Sequence, residues 1–231
     1  MRLYVSPNVL YEEIQGCLVI LDLSTEAYYI LDAVGTSMWK SLLATNDETQ
    51  ALRTLQSEYL VERVRLKADL ETFRELCIEQ GFLQKEEAER KAGISVYAGR
   101  QDFLVPRAWW CLCCTVRSLS ANGLARTYQK CCGLAVPKEN PVDADDLLER
   151  AVAAFAMAEN LFLIKSAPKD CLPRSLALFR FLRSAGLPVE HCIGVQRFPF
   201  QAHAWVEYGG RVVQDHPSRQ SVFRTIARIS A

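Results

Sequence analysis

Cys171-Leu172-Pro173-Arg174-Ser175-Leu176-Ala177-Leu178-Phe179, with Ala202-His203-Ala204-Trp205-Val206-Glu207 and Val212-Val213-Gln214-Asp215 after it, is the stretch on which the fold turns. Leu172, Leu176, Phe179 and Leu182 recur with a period of about 3.6 residues, which predicts a helix. Gly186-Leu187-Pro188 stops it, a glycine followed by a proline. Pro173 is tolerated only in the first turn, where a backbone N–H has no helical partner. Asp170 is therefore expected near the N-cap and Cys171 at the first helical position. There the positive end of the helix dipole favours a nucleophilic thiolate.

Residues 189–195 and 202–208 read as strands, and Gly209-Gly210 turns the chain into a third at 211–215. Register decides what faces His203. A two-residue turn would set His216 opposite it and send Asp215 to the other face. A three-residue loop, Tyr208-Gly209-Gly210, would pair Glu207 with Arg211, Trp205 with Val213 and His203 with Asp215. The second register gives a cross-strand charge pair and a carboxylate beside the imidazole, and it is the one expected.

A cysteine at a helix start, a histidine in a strand and an aspartate in the next is the order a papain- or transglutaminase-type cysteine peptidase or acyltransferase would use. Cys171 would be the nucleophile, His203 its base and Asp215 the residue that orients the ring. The Cys171 backbone N–H is the expected oxyanion donor. Singly, a cysteine is more often a small buried residue, a strand histidine a satisfied one and an aspartate a turn former. Order and compatible elements make them a set. Arg174 reads equally as a substrate or a structural residue, and Trp205 as a cleft wall or as packing.

The 231 residues are half apolar, and 27 basic residues balance 27 acidic ones. A well-buried core is expected and a nucleic-acid partner is not. No apolar run reaches a membrane span, and the charged N-terminus reads as strand rather than signal peptide. Nine cysteines, with adjacent pairs at Cys113-Cys114 and Cys131-Cys132, fit reduced thiols in a cytoplasm better than a disulfide framework.

The fold class expected is α+β. Residues 1–84 read as a winged-helix-like module of three strands (3–5, 17–23 and 27–31) and three helices. The first helix spans 33–43 with Val34, Met38, Trp39 and Leu42 inward. The second starts at Thr45, whose spacing to Glu48 makes a capping box. The third carries Leu66, Leu70, Phe73, Leu76 and Cys77 and ends at Gly81. Its charges alternate in sign, so it offers no basic face for DNA. Residues 85–102 read as a linker, and 103–231 as the second domain. Leu104, Ala108, Trp109, Leu112 and Val116 suggest a buried helix near Pro106, followed by a loop-rich connection over 122–141. A helix from Asp145 then carries Leu147, Ala151 and Phe155 inward. Cys111, Cys113, Cys114, Cys131 and Cys132 lack C-x-x-C spacing, so buried thiols are preferred to a metal site, and no cofactor is expected.

The run Leu18-Val19-Ile20-Leu21, Ala27-Tyr28-Tyr29-Ile30-Leu31-Asp32, Gly35, Trp39, Asp69, Phe73, Leu76 and Gly81-Phe82-Leu83 resembles the RiPP recognition element. The resemblance implies that a leader peptide adds as a strand to Ala27, Tyr28, Tyr29, Ile30 and Leu31 and lies against Asp69, Phe73 and Leu76. The segment from Cys171 to Asp215 resembles the transglutaminase-like leader peptidase of lasso-peptide biosynthesis, and the two together resemble the fused lasso-peptide B protein. This implies cleavage of a precursor peptide at its leader–core junction. It also implies transfer of the core to an ATP-using, asparagine-synthetase-like cyclase. An acyltransferase with the same triad, or a non-catalytic leader-binding scaffold, are the rival readings.

Overall fold

The computed structural model describes residues 3–45, 48–85, 103–135, 141, 143–160, 171–215 and 219–230. The chain divides into two compact units, Met1–Arg90 and Lys91–Ala231. All of the expected linker after Lys85 lies outside the described residues.

The first unit begins with strands β1 (Tyr4–Val5), β2 (Val9–Ile14), β3 (Cys17–Asp22) and β4 (Ala27–Leu31). β2, β3 and β4 form an antiparallel sheet in that order. Every residue of β3 is buried, which is why its sequence is apolar without alternation. The third strand of the sheet is β2, where residues 3–5 had been expected. Glu12-Glu13 hides β2 in the sequence, but an edge strand anchored by buried Val9 and Ile14 tolerates a polar middle. β1 instead pairs with β5 (Leu83–Gln84), beyond the helices.

Those helices are α1 (Ala33–Ala44), α2 (Glu48–Glu58) and α3 (Arg63–Glu79). The Asp32 carboxylate caps α1 by accepting the Gly35 N–H at 2.8 Å. Trp39 is the keystone at 1% exposure, packed with Leu18, Ile20, Cys77 and Phe82; its truncation to alanine would cost about 3–5 kcal/mol. Met38, Leu52, Leu55, Leu66 and Leu70 close a second cluster between the helices. Val34 points outward, contrary to expectation. Thr45 ends α1 rather than starting α2, which begins at Glu48.

The second unit is built from α4 (Leu104–Cys132), α5 (Ala144–Asn160) and α6 (Cys171–Ser184), then β6 (Glu190–Gln196), β7 (Gln201–Tyr208), β8 (Arg211–Val213), a short α7 (Arg219–Val222) and β9 (Arg224–Ile229). The sheet runs β8-β7-β6-β9, antiparallel throughout. The expected loop over 122–141 is helical as far as Cys132. The chain kinks at Gly123 and then resumes, because Leu124, Thr127, Tyr128 and Cys131 bury one face. Trp109, expected inside, is exposed, as is Trp110. Of the five cysteines on α4, only Cys131 is fully buried; Cys111, Cys113 and Cys114 are half-buried and Cys132 is exposed.

α6 is the axis of this unit. Leu176, Phe179, Phe181 and Leu182 are wholly buried, so the helix is covered nearly all round, by α4, α5 and the sheet. Near its C-terminal end the buried Arg183 donates to the carbonyls of Val189 (2.8 Å) and Ser230 (2.6 Å) with its guanidinium over Phe179. The expected positions of Leu172, Leu176, Phe179 and Leu182 on the packed side hold, with Leu172 half-buried at the edge. No helix among the described residues is long and apolar enough to cross a membrane.

Candidate active site

Cys171 is the first residue of α6 and is half-buried. Asp170, expected as the cap, lies outside the described residues. The strand hairpin beside it corrects the expected register. Tyr208 pairs with Arg211, Glu207 with Val212 and Val206 with Val213, so the turn has two residues. Gly209 and Gly210 both have positive φ, 54° and 77°, the mirror-image geometry whose twist matches a hairpin and which glycine adopts without strain. The pairings of Glu207 with Arg211, Trp205 with Val213 and His203 with Asp215 across the ladder therefore do not form.

His203 and Asp215 nonetheless meet. β8 ends at Val213, and Gln214 takes a left-handed conformation (φ 56°) that swings Asp215 out of strand alternation. Its Oδ2 bonds the imidazole Nε2 in a short contact, with both side chains largely buried. A carboxylate on Nε2 fixes the ring and leaves Nδ1 for other chemistry. The structure thus brings two of the three expected residues into contact. Cys171 stands on the helix that packs against β7, and no hydrogen bond joins its thiol to the imidazole among the described residues.

The imidazole is cradled by Trp205, whose role the sequence left open, and by Phe223, which sequence reading passed over. Alternation along β7 places His203, Trp205 and Glu207 on one face. The His203 and Trp205 rings stack at 6.0 Å between centroids, and Phe223 closes the other side at 5.4 Å. Trp205, 2% exposed, is packing rather than a cleft wall. Its Nε1 donates to Glu207 Oε1 at 2.7 Å, and Glu207 Oε2 accepts from Arg228 at 2.7 Å. Gly194, across from His203, makes room: a Cβ there would lie 2.7 Å from the Trp205 ring. A lone glycine inside an apolar strand is a signal for such close approach.

Below the sheet, on α6, Ser175 Oγ shares a 2.9 Å hydrogen bond with His191 Nε2. His191 is wholly buried, Nδ1 has no partner among the described residues, and burial pushes its pKa down to about 3, so it is a neutral structural histidine. Burial likewise pushes the thiols of Cys77 up to about 11 and of Cys131 and Cys192 up to about 12.

In the first unit, β4 is an outer strand of its sheet, opposite β2. Its alternation divides the expected leader contacts. Tyr29 and Leu31 pack into the core with Phe73, whereas Ile30 is about half exposed on the opposite face beside Tyr28. On α3, Asp69 and Leu76 are exposed.

A helix opening on a cysteine, set on an antiparallel sheet that holds a bonded histidine–aspartate pair, defines a transglutaminase-like domain. The chain belongs to the transglutaminase-like superfamily, which it matches over residues 111–228. Residues 17–83 match coenzyme PQQ synthesis protein D, so one chain carries that module ahead of the transglutaminase-like domain. Among curated proteins, the microcin J25-processing protein McjB of Escherichia coli is 35% identical over 95 residues, 40% of this chain and 44% of that one. The chain thus spans less than half the length of that relative. A solved structure, TbiB1 in complex with the TbiA(beta) leader peptide, is 27% identical, covering 38% of this chain and all of that one, with a TM-score of 0.34.

Proposed function

We propose that this chain is a cysteine leader peptidase of lasso-peptide maturation, working in the cytoplasm on a ribosomally made precursor. The observation that carries the reading is the hydrogen bond between His203 Nε2 and Asp215, made beside the helix that opens with Cys171. With Nε2 engaged, Nδ1 is the nitrogen that takes the Cys171 proton. The thiolate attacks the carbonyl at the leader–core junction, and the Cys171 backbone N–H donates to the resulting oxyanion. Imidazolium returns its proton to the leaving amine, freeing the core. Water, deprotonated by His203, then hydrolyses the thioester, releasing the leader as a carboxylate and restoring the thiol.

The first unit supplies the grip. β4 is an outer strand of five residues to which an extended leader can add through its backbone, with Asp69, Phe73 and Leu76 of α3 in the expected leader contacts. The freed core amine suits a partner that activates a carboxylate with ATP, an asparagine-synthetase-like cyclase closing a macrolactam. McjB, a microcin J25-processing protein, supports the same substrate class. Mass spectrometry of a leader–core peptide incubated with the wild type and with Cys171→Ala tests the reading. A single cut by the wild type alone is expected, with leader binding kept by the variant. Cleavage by Cys171→Ala, or none by the wild type even with cyclase and ATP, would overturn it.

A further inference from the structure

Arg174 lies one turn after Cys171 on α6, half-buried, with its guanidinium engaged by an acid. Nε donates to Glu159 Oε1 at 2.6 Å and Nη2 to Glu159 Oε2 at 3.0 Å, a two-pronged contact with the last turn of α5. The same Oε2 accepts from Gln214 Nε2 at 3.3 Å. Gln214 is the left-handed residue that delivers Asp215, and its Oε1 is buried without a hydrogen-bond partner among the described residues. Its amide is therefore held for Glu159 at the expense of its own acceptor.

We infer that Glu159, Arg174 and Gln214 form a positioning clamp that ties the helix bearing Cys171 to the bend bearing Asp215. The path is continuous: first turn of α6, Arg174, Glu159, Gln214, Asp215, His203. With no hydrogen bond between thiol and imidazole, these contacts fix where the two halves of the site stand relative to each other. Arg174 acts in this clamp as a positioning residue, its Nε and Nη2 both engaged by Glu159. The inference rests on the proposed roles of Cys171, His203 and Asp215.

The test uses the full chain and two readouts. The first is the proton NMR signal of the His203 Nε2–H bonded to Asp215, assigned by its loss in Asp215→Asn; the chain has only three histidines. Arg174→Gln, Glu159→Gln and Gln214→Met should each shift or broaden that signal, and Arg174→Lys should restore part of it. An unchanged signal in all three would overturn the clamp, whether or not the chain cuts peptides. The second is kinetic. Arg174→Gln should lower kcat about 10- to 100-fold, as expected for a reacting group displaced by an ångström, with KM for the leader peptide unchanged. That loss should vanish in the Asp215→Asn background, since both substitutions break one chain of contacts. A loss that simply adds, or that appears in KM, would overturn it. Should Arg174→Gln fail to fold, Gln214→Met, which leaves the α5–α6 contact intact, carries the same two expectations. If no variant is measurable by turnover because the wild type does not cut, the proposed peptidase reading falls while the NMR result still decides the clamp.

Discussion

β4 and β7 are both strands that carry proposed functional residues, and they are mounted in opposite ways. β4 is one of the two edge strands of a three-stranded sheet, with side chains divided between the core and the outside. β7 lies between β6 and β8, and its functional face is packed by Trp205, Phe223 and the Glu207–Arg228 pair. The difference follows from the role proposed for each. Strand addition uses backbone groups, so the strand must stand at an edge and need not be rigid. Proton transfer uses one side chain at a fixed distance, so the strand must be enclosed and its neighbours locked.

Asp215→Asn should have the largest effect on the enclosed side: an amide can hold the imidazole in the wrong tautomer, and kcat should fall by roughly 10²- to 10⁴-fold with the fold intact by circular dichroism. An unchanged rate would remove the aspartate from the mechanism. Acid comes next. His191 is neutral in the native state with a pKa of about 3, against about 6.5 when unfolded. Above 6.5 neither state binds the proton; below it only the unfolded state does. The stability of the second unit should therefore fall as the pH drops from 6.5 toward 3, by at most about 1.4 kcal/mol per pH unit from this group. Urea titrations of wild type and His191→Phe at several pH values measure it, and parallel curves would refute it. Gly194→Ala, which drives a methyl into the Trp205 ring, should destabilise by about 1–3 kcal/mol and disturb His203 with it. The smallest effects belong to the edge. A leader peptide N-methylated at alternate residues should lose about 0.5–1.5 kcal/mol per backbone hydrogen bond removed, while methylation at intervening residues should do little. Fluorescence anisotropy reads this, and a loss without alternation would argue against strand addition.

The same contrast governs how much could be read in advance. α6 was legible because its period, its proline and its glycine agree, and β3 because an unbroken apolar run has few other homes. β2 was missed because Glu12-Glu13 breaks the pattern that an edge does not need. β9 was missed because Arg224 and Arg228 leave only Thr225, Ile226 and Ala227 between them, too short a run to read as a strand. α4 beyond Gly123 was missed because a glycine that kinks a helix looks the same, in sequence, as one that ends it. The residues of the candidate site were named from their order along the chain, yet the geometry that joins two of them was not. Period-two reasoning chose the longer loop to bring Asp215 to His203, whereas the chain keeps the tight Gly209-Gly210 turn and makes the connection afterwards. Gly194 and Phe223, which shape the ring's surroundings, carry no charge or nucleophile to draw the eye.

The left-handed residue at 214 has a consequence for how such a hairpin can vary. Because one backbone dihedral, rather than the ladder, delivers the carboxylate, the turn and the dyad are separate modules. An insertion of two residues into the turn would leave Val213, Gln214 and Asp215 in the same relation to one another and could be absorbed as a longer loop. A β-branched residue at 214 would instead resist the positive φ and tend to carry the strand straight on, turning Asp215 away from His203. Tolerance to change in this part of the molecule thus runs against visual prominence: the conspicuous double glycine is the negotiable part, and the inconspicuous glutamine after the strand is not.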